Sequence, residues 1–128
     1  MSLERRAFGL QAESRAERYL RRKGYRILER NARSSSGELD LVVERDGVLV
    51  FVEVKARRTD AYGGGPYAVD HRKQGRLIRL AAQYLARRRV RDRACRFDVV
   101  LLQEEGKGLH QIEHIENAFD VPGDDLRW

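Results

Sequence analysis

The sequence predicts an α/β domain: a mixed β-sheet with helices on its faces, in the order αβββαββ. Three observations carry this reading. Gly37 to Glu44 and Val48 to Lys55 are runs rich in Val, Leu and Phe, joined by Arg45-Asp46-Gly47, and Asp-Gly between such runs is a strong hairpin signal. Two other stretches repeat their apolar residues at helical spacing, one before the hairpin and one after it. A further apolar run follows the second helix. An antiparallel hairpin forbids an all-parallel sheet, and helices between strands supply its covering layers. With 128 residues and 41% hydrophobic composition, the chain is expected to be one domain with its own core.

In chain order, residues 1–8 read as a loosely held start. From Gly9 the pattern is helical, with Ala12, Ala16, Tyr19 and Leu20 at i, i+4, i+7 and i+8. Arg21, Arg22 and Lys23 suit the negative end of that helix, and Gly24 suits its C-cap. Tyr25 to Glu29 reads as a short strand, and the polar stretch Asn31 to Ser36 as a flexible loop. The hairpin comes next. With Asp46 and Gly47 as the central turn residues, Arg45 pairs with Val48. The same register sets Asp40 opposite Glu53 and Glu38 opposite Lys55, on one face.

The segment holding Gly63-Gly64-Gly65-Pro66 reads as a loop in which Tyr62 or Tyr67 could stack on bases, or as a plain connection. Asp70 is the expected N-cap of a helix from His71 to about Arg89, with Leu77, Leu80, Ala81, Tyr84 and Leu85 as its apolar stripe. Ala94 to Leu102 reads as a strand and Gln111 to Ile115 as an edge strand. Asp98 reads as a candidate outer acid of a site or, in preference, as an acid paired structurally with an arginine. His110 and His114 lack a third partner, so no zinc site is expected. Phe119 is expected to pack, and residues 120–128 to fray.

Formal net charge is +6, and basic residues dominate from Arg72 to Arg96. A one-sided basic surface attracts polyanions, and neutralising phosphate supplies most non-specific nucleic-acid affinity. Arg72, Lys73 and Arg76 on the second helix, with Arg57 and Arg58 after the hairpin, are the candidate nucleic-acid-binding residues. No run approaches a membrane span and no apolar signal core is evident. The single Cys95 excludes an internal disulfide. The expected location is cytoplasmic, with no membrane partner.

Within this basic chain the hairpin gathers Glu38, Asp40, Glu53 and Lys55. Two carboxylates that close repel each other. A hard cation, Mg²⁺ or Mn²⁺, would relieve this, typically through one or two carboxylates and several waters. The competing explanation is a salt-bridged strand end in which Lys55 pairs with Glu38. Residue pattern alone leaves both open.

The ordered blocks Gly37-Glu38-Leu39-Asp40-Leu41, Phe51-Val52-Glu53-Val54-Lys55-Ala56-Arg57 and Arg96-Phe97-Asp98-Val99-Val100 resemble the bacterial YraN family, over about residues 9–119. Asp40 followed by Glu53-Val54-Lys55 resembles the D…(D/E)-x-K signature of the PD-(D/E)XK nuclease superfamily, although Leu39 stands where that name has Pro. The family is similar in fold to archaeal Holliday junction resolvases. The resemblance implies a restriction-endonuclease-like fold and a Mg²⁺- or Mn²⁺-dependent endonuclease acting on DNA, with branched or structured DNA suggested by the likeness to resolvases. It implies Asp40, Glu53 and the Val54 carbonyl as metal ligands, Lys55 as a catalytic cation and Glu38 as a supporting acid. Gly9, Glu13, Ala16, Tyr19 and Leu20 match the block G-x-x-x-E-x-x-A-x-x-Y-L, so Glu13 completes the catalytic set, directly or through water, with Glu17 as its competitor. A non-catalytic nucleic-acid-binding module on a nuclease-like scaffold is the alternative. A homodimer is left open.

Overall fold

The structure is a computed structural model that describes residues 3–58, 67–104 and 109–121. Its elements are α1 (Leu3–Arg22), β1 (Arg26–Ser34), β2 (Gly37–Arg45), β3 (Val48–Arg58), α2 (His71–Arg88), β4 (Cys95–Glu104) and β5 (Leu109–Ile115). The five strands form one sheet in the order β1-β2-β3-β4-β5. Only the β3–β4 pair is parallel, and α2 makes that crossover. A mixed sheet with a helix on each face is the layout of a restriction-endonuclease-like fold. Among the described residues no helix is long and apolar enough to cross a membrane.

The central hairpin forms as its sequence dictates. Asp46 and Gly47 both have positive φ, 52° and 78°, as a type I′ turn requires. The ladder runs from Arg45–Val48 to Leu41–Val52 in the expected register. On the face covered by α1, Ala12, Ala16 and Leu20 pack with Leu41, Val43, Val50, Val52 and Val100. On the other face Leu77, Leu80, Ala81, Tyr84 and Leu85 of α2 cover Leu49, Phe51, Phe97 and Val99. Phe119 stacks on Phe97 with centroids 4.8 Å apart, and Val121 packs against the same cluster. Residues 122–128 lie outside the described residues.

Two boundaries differ from the sequence pattern. α1 begins at Leu3, because Glu4, Arg5, Arg6 and Ala7 are all good helix formers and one glycine at position 9 costs only about 1 kcal/mol. Residues 31–34 are not a loop: β1 continues to Ser34, and Ala32, Arg33 and Ser34 pair with Leu39, Glu38 and Gly37. This is an edge strand with Ala32 as its one fully buried residue, so its apolar alternation is too weak to read. A register shift between Ile27 and Glu29 interrupts the alternation further.

Both helices end in Schellman geometry. After α1, the Tyr25 N–H donates to the Leu20 carbonyl and the Gly24 N–H to that of Arg21, both at 3.0 Å. After α2, the same bonds run from Val90 to Leu85 and from Arg89 to Ala86. The second cap places Arg89, not glycine, at φ 57°. A β-carbon there is strained. Arg89→Gly is therefore expected to stabilise the fold by about 0.5–1 kcal/mol, read as a rise in the urea midpoint. A fall would show that the arginine side chain contributes more than its backbone strain costs.

Candidate active site

The β2–β3 ladder stops short of its sequence-predicted end. Continued, it would set Leu39 opposite Val54 and Asp40 opposite Glu53, but the paired residues end at Leu41–Val52. Leu39 lies in the core under α2, whereas Leu41 and Val43 lie under α1. In a regular strand all three would share one face, so the faces of β2 exchange around Asp40. Directly beside this point in β1, Asn31 adopts φ 51°, a left-handed conformation that asparagine tolerates better than most residues.

The Asp40 carboxylate fills the place of the missing ladder bond. The Val54 N–H donates to its Oδ2 at 2.8 Å. In an antiparallel ladder a residue's N–H and C=O address the same neighbour, so the Val54 carbonyl faces the same opening. Half-buried Asp40 is pushed up to about 6 by burial; the Val54 N–H works in the opposite direction, and the charges of Glu13, Glu53 and Glu38 add to the rise. Glu13 on α1 is also raised, by burial and then by Glu38. Four carboxylates from α1, β2 and β3 thus converge electrostatically on one opening in the sheet.

Their neighbours partly neutralise them. With its amide nitrogen turned toward them, Asn31 donates to Glu13 Oε1 and Glu38 Oε1, each at 2.8 Å. Arg33 Nε donates to Glu38 Oε2 at 3.0 Å. The expected pairing of Glu38 with Lys55 is therefore replaced: the open ladder separates them, and β1 brings Arg33 opposite Glu38. Glu53 is held from α2, with Lys73 Nζ 2.8 Å from Oε1 and the Tyr67 hydroxyl donating to Oε2 at 3.3 Å. Burial alone would lower the Lys73 pKa, but the hydrogen bond and charge of Glu53 raise it. Burial and Glu53 together raise the Tyr67 phenol.

The remaining expected residues fall into distinct places. Lys55 is exposed on β3, two residues beyond Glu53. Glu17 pairs with Arg30 and Arg21, and the Arg30 hydrogen bond holds it below the ordinary carboxylate range against the effect of burial. Glu13 is thus the α1 acid that faces the opening, and Glu17 is not. Arg72, Lys73, Arg76 and Arg79 line a cleft of about 500 Å³ beside Asp70, whose side chain caps α2. Arg57 is half-buried on β3 opposite Gln103. The Arg58 side chain, Tyr62, the glycines at 63–65 and the His110 side chain lie outside the described residues. Asn31 and Tyr67 are the contributors that sequence reasoning missed or assigned elsewhere. Asn31 reads as loop in the sequence, and Tyr67 as either a base-stacking residue or part of a plain connection.

Oxygen donors with an unrelieved excess of negative charge suit a hard divalent cation. Among the described residues, however, no three His, Cys, Asp or Glu side chains converge as a preformed metal cage, because Glu53 turns to Lys73 and Glu13 to Asn31. Mg²⁺ needs only one or two protein carboxylates and keeps its waters, so Asp40, Glu53 and the Val54 carbonyl fit it chemically.

Asp98 is the one fully buried carboxylate among the described residues. Burial would raise its pKa, but it is held below the ordinary range by His114 Nε2 at 2.7 Å, by Arg96 at 2.9 and 3.1 Å and by the Asn117 N–H at 3.0 Å. His114 in turn meets Lys23 through Nδ1 at 2.9 Å, a pattern that a neutral Nε2–H tautomer satisfies. This network is saturated and belongs to the packing of α1 against β4 and β5.

Asp40 therefore costs the fold stability at neutral pH. Its folded value of about 6 lies above the ordinary aspartate value of 3.8, so the folded protein binds the extra proton between the two. The associated stability is fully present below the lower value and lost as pH rises through the upper one. Asp40→Asn keeps an oxygen for the Val54 N–H. Without divalent ions it is expected to stabilise by about 1–3 kcal/mol near pH 7.5, and by almost nothing near pH 4. Urea midpoints of the two proteins at both pH values measure this, and equal stability near pH 7.5 would contradict it.

The model of the uncharacterised protein family UPF0102 matches residues 12–102. The UPF0102 protein of Pelotomaculum thermopropionicum is 47% identical over 121 residues, covering 93% of this chain and all (100%) of its own. That of Symbiobacterium thermophilum is 47% identical over 114 residues, covering 89% of this chain and 97% of its own. That of Persephonella marina is 40% identical over 113 residues, covering 88% and 93%. Among solved structures, SfsA from Pyrococcus furiosus in complex with Ca²⁺ is similar at a TM-score of 0.35 and 15% identity, over 91% of this chain and 65% of that one. The match to the family model and the identities to its members, over nearly the whole chain, place this protein in UPF0102.

Proposed function

We propose that the chain is a divalent-metal-dependent endonuclease that hydrolyses phosphodiester bonds of DNA. The observation that supports this reading best is the opening between β2 and β3, where Asp40, with its pKa pushed up to about 6, meets the charges of Glu13, Glu38 and Glu53. Unrelieved like charge is costly and is characteristic of functional sites. A cation at that opening would also be the point at which a basic protein meets phosphate.

Asp40, Glu53 and the Val54 carbonyl would hold Mg²⁺ or Mn²⁺, with Glu13 acting directly or through water. When bound, such an ion lowers the pKa of a coordinated water and offsets charge on phosphate oxygens. The chain's own residues do the rest. Glu38, steadied by Arg33 and Asn31, maintains the negative field that draws the cation in. Lys55, exposed beyond Glu53, supplies a positive charge for the developing phosphate anion. Lys73 holds Glu53 in place and carries a second positive charge to the same point. Arg72 and Arg76, exposed beside it, give backbone affinity without reading sequence. Branched DNA as the substrate follows from the family resemblance, as fold-level analogy. A cytoplasmic location goes with this reading.

One observation favours the alternative, a nucleic-acid-binding module without catalysis: both Glu53 oxygens already have partners, Lys73 and Tyr67. Cleavage decides between the two. With Mg²⁺ or Mn²⁺, the protein is expected to cut at least one of four-way junctions, flaps, single strands or plasmid. Glu53→Ala and Lys55→Ala should each lower the rate by about 100-fold or more without changing the thermal melt. Undiminished cutting by both variants would overturn the site assignment. Salt-sensitive binding without cutting would favour the module.

A further inference from the structure

α1 carries two functional flanks, and the candidate active site uses one of them. Ala12, Ala16 and Leu20 are buried against the sheet. Glu13 and Glu17 project toward β1, where they meet Asn31 and Arg30. Arg15, Arg18 and Arg22, at i, i+3 and i+7, form a stripe on the opposite flank. There they line a cleft of about 400 Å³ with Ser14, Tyr19 and Ile112 of β5. Among the described residues no acidic side chain lines this cleft, and Glu13 and Glu17 turn to the other flank.

We propose that this cleft is a second nucleic-acid contact, one that grips phosphodiester backbone outside the strand presented to the Asp40 opening. From Arg18 to Arg22 the helix rises about 6 Å, the axial length over which one strand of a duplex carries about two phosphates. Guanidinium groups take phosphate oxygens in bidentate pairs, and Arg18 and Arg22 are both exposed. Ser14 adds a hydroxyl donor. A membrane surface fits less well. An interfacial helix needs an apolar face to insert, whereas the apolar stripe of α1 is covered by the sheet. Leu10, 63% exposed, is the one large apolar side chain exposed on the described part of α1.

Because the cleft and the opening lie on opposite flanks of one helix, a single DNA molecule engaging both must wrap the helix or present two arms. The inference rests on reading the chain as a nucleic-acid protein, but not on catalysis. The test is fluorescence anisotropy of a labelled duplex of about 20 base pairs in EDTA, titrated at several NaCl concentrations. Arg18→Gln/Arg22→Gln is compared with Arg26→Gln/Arg91→Gln, which removes the same charge away from the cleft. The cleft variant is expected to bind about 10- to 100-fold more weakly near 0.1 M salt, with a log–log salt slope shallower by about two, while the control changes much less. Equal losses in the two variants, or none in either, would overturn this inference and leave the nuclease reading standing. No DNA binding by the unaltered protein would overturn both. Loss of binding to anionic vesicles, with DNA affinity intact, would assign the cleft to a lipid surface instead.

Discussion

The hydrogen bond from the Val54 N–H to the Asp40 carboxylate, 2.8 Å long, is the contact on which the candidate site depends. A backbone amide at a sheet interior must have an acceptor. Here a side chain supplies it, and β2 is released from β3 beyond that point. Three consequences follow. The Val54 carbonyl is left facing the opening, Asp40 is fixed at its mouth, and β2 turns far enough for Glu38 to meet β1 rather than β3. The left-handed Asn31 accommodates the same turn in the neighbouring strand and binds the two outermost acids together.

Asp40 and Asp98 show what separates a site from a structural ion pair. Both are aspartates on the strands of one sheet, withdrawn from water. Asp98 is met by Arg96, His114 and a backbone N–H, and its pKa is held down. Asp40 has one N–H and otherwise faces other carboxylates, and its pKa rises to about 6. A fold selected only for stability would pair Asp40 as it pairs Asp98. Lys73 and Arg33, the cations brought to the opening, pair with Glu53 and Glu38 rather than with Asp40. Residual negative charge at one point in a protein of net charge +6 is the feature that a divalent cation would neutralise, and the same cation would attract the anionic phosphodiester.

Much of this was legible in the sequence because local rules and tertiary packing agree. The Asp46-Gly47 turn, the register as far as Leu41–Val52, the capped α2 helix with its stripe, and the pairing of Asp98 with an arginine all follow from spacing and residue type. The misreadings share a cause. The extension of β1 rests on backbone pairing with β2, not on its own apolar residues, so Asn31 to Ser34 looked like loop and the role of Asn31 was hidden. Likewise, the face exchange at Asp40 breaks period-2 alternation, so the expected Glu38–Lys55 pair gives way to Glu38–Arg33. Lys73 reads as a nucleic-acid contact because nothing local signals that α2 sets it against Glu53. The Arg15, Arg18 and Arg22 stripe has no signature of its own in the sequence, because it becomes a cleft only when β5 lies beside α1.

On the proposed reading, the carboxylates at the β2–β3 opening form a cation site that is incomplete until an ion arrives. Calorimetric titration of Mn²⁺ into the protein near pH 7.5, repeated near pH 5.5, is the direct test. One saturable site is expected, with an affinity that falls at the lower pH as protons compete for Asp40, and it is expected to disappear in Asp40→Asn. Absence of Mn²⁺ binding, or binding indifferent to both pH and Asp40→Asn, would contradict it.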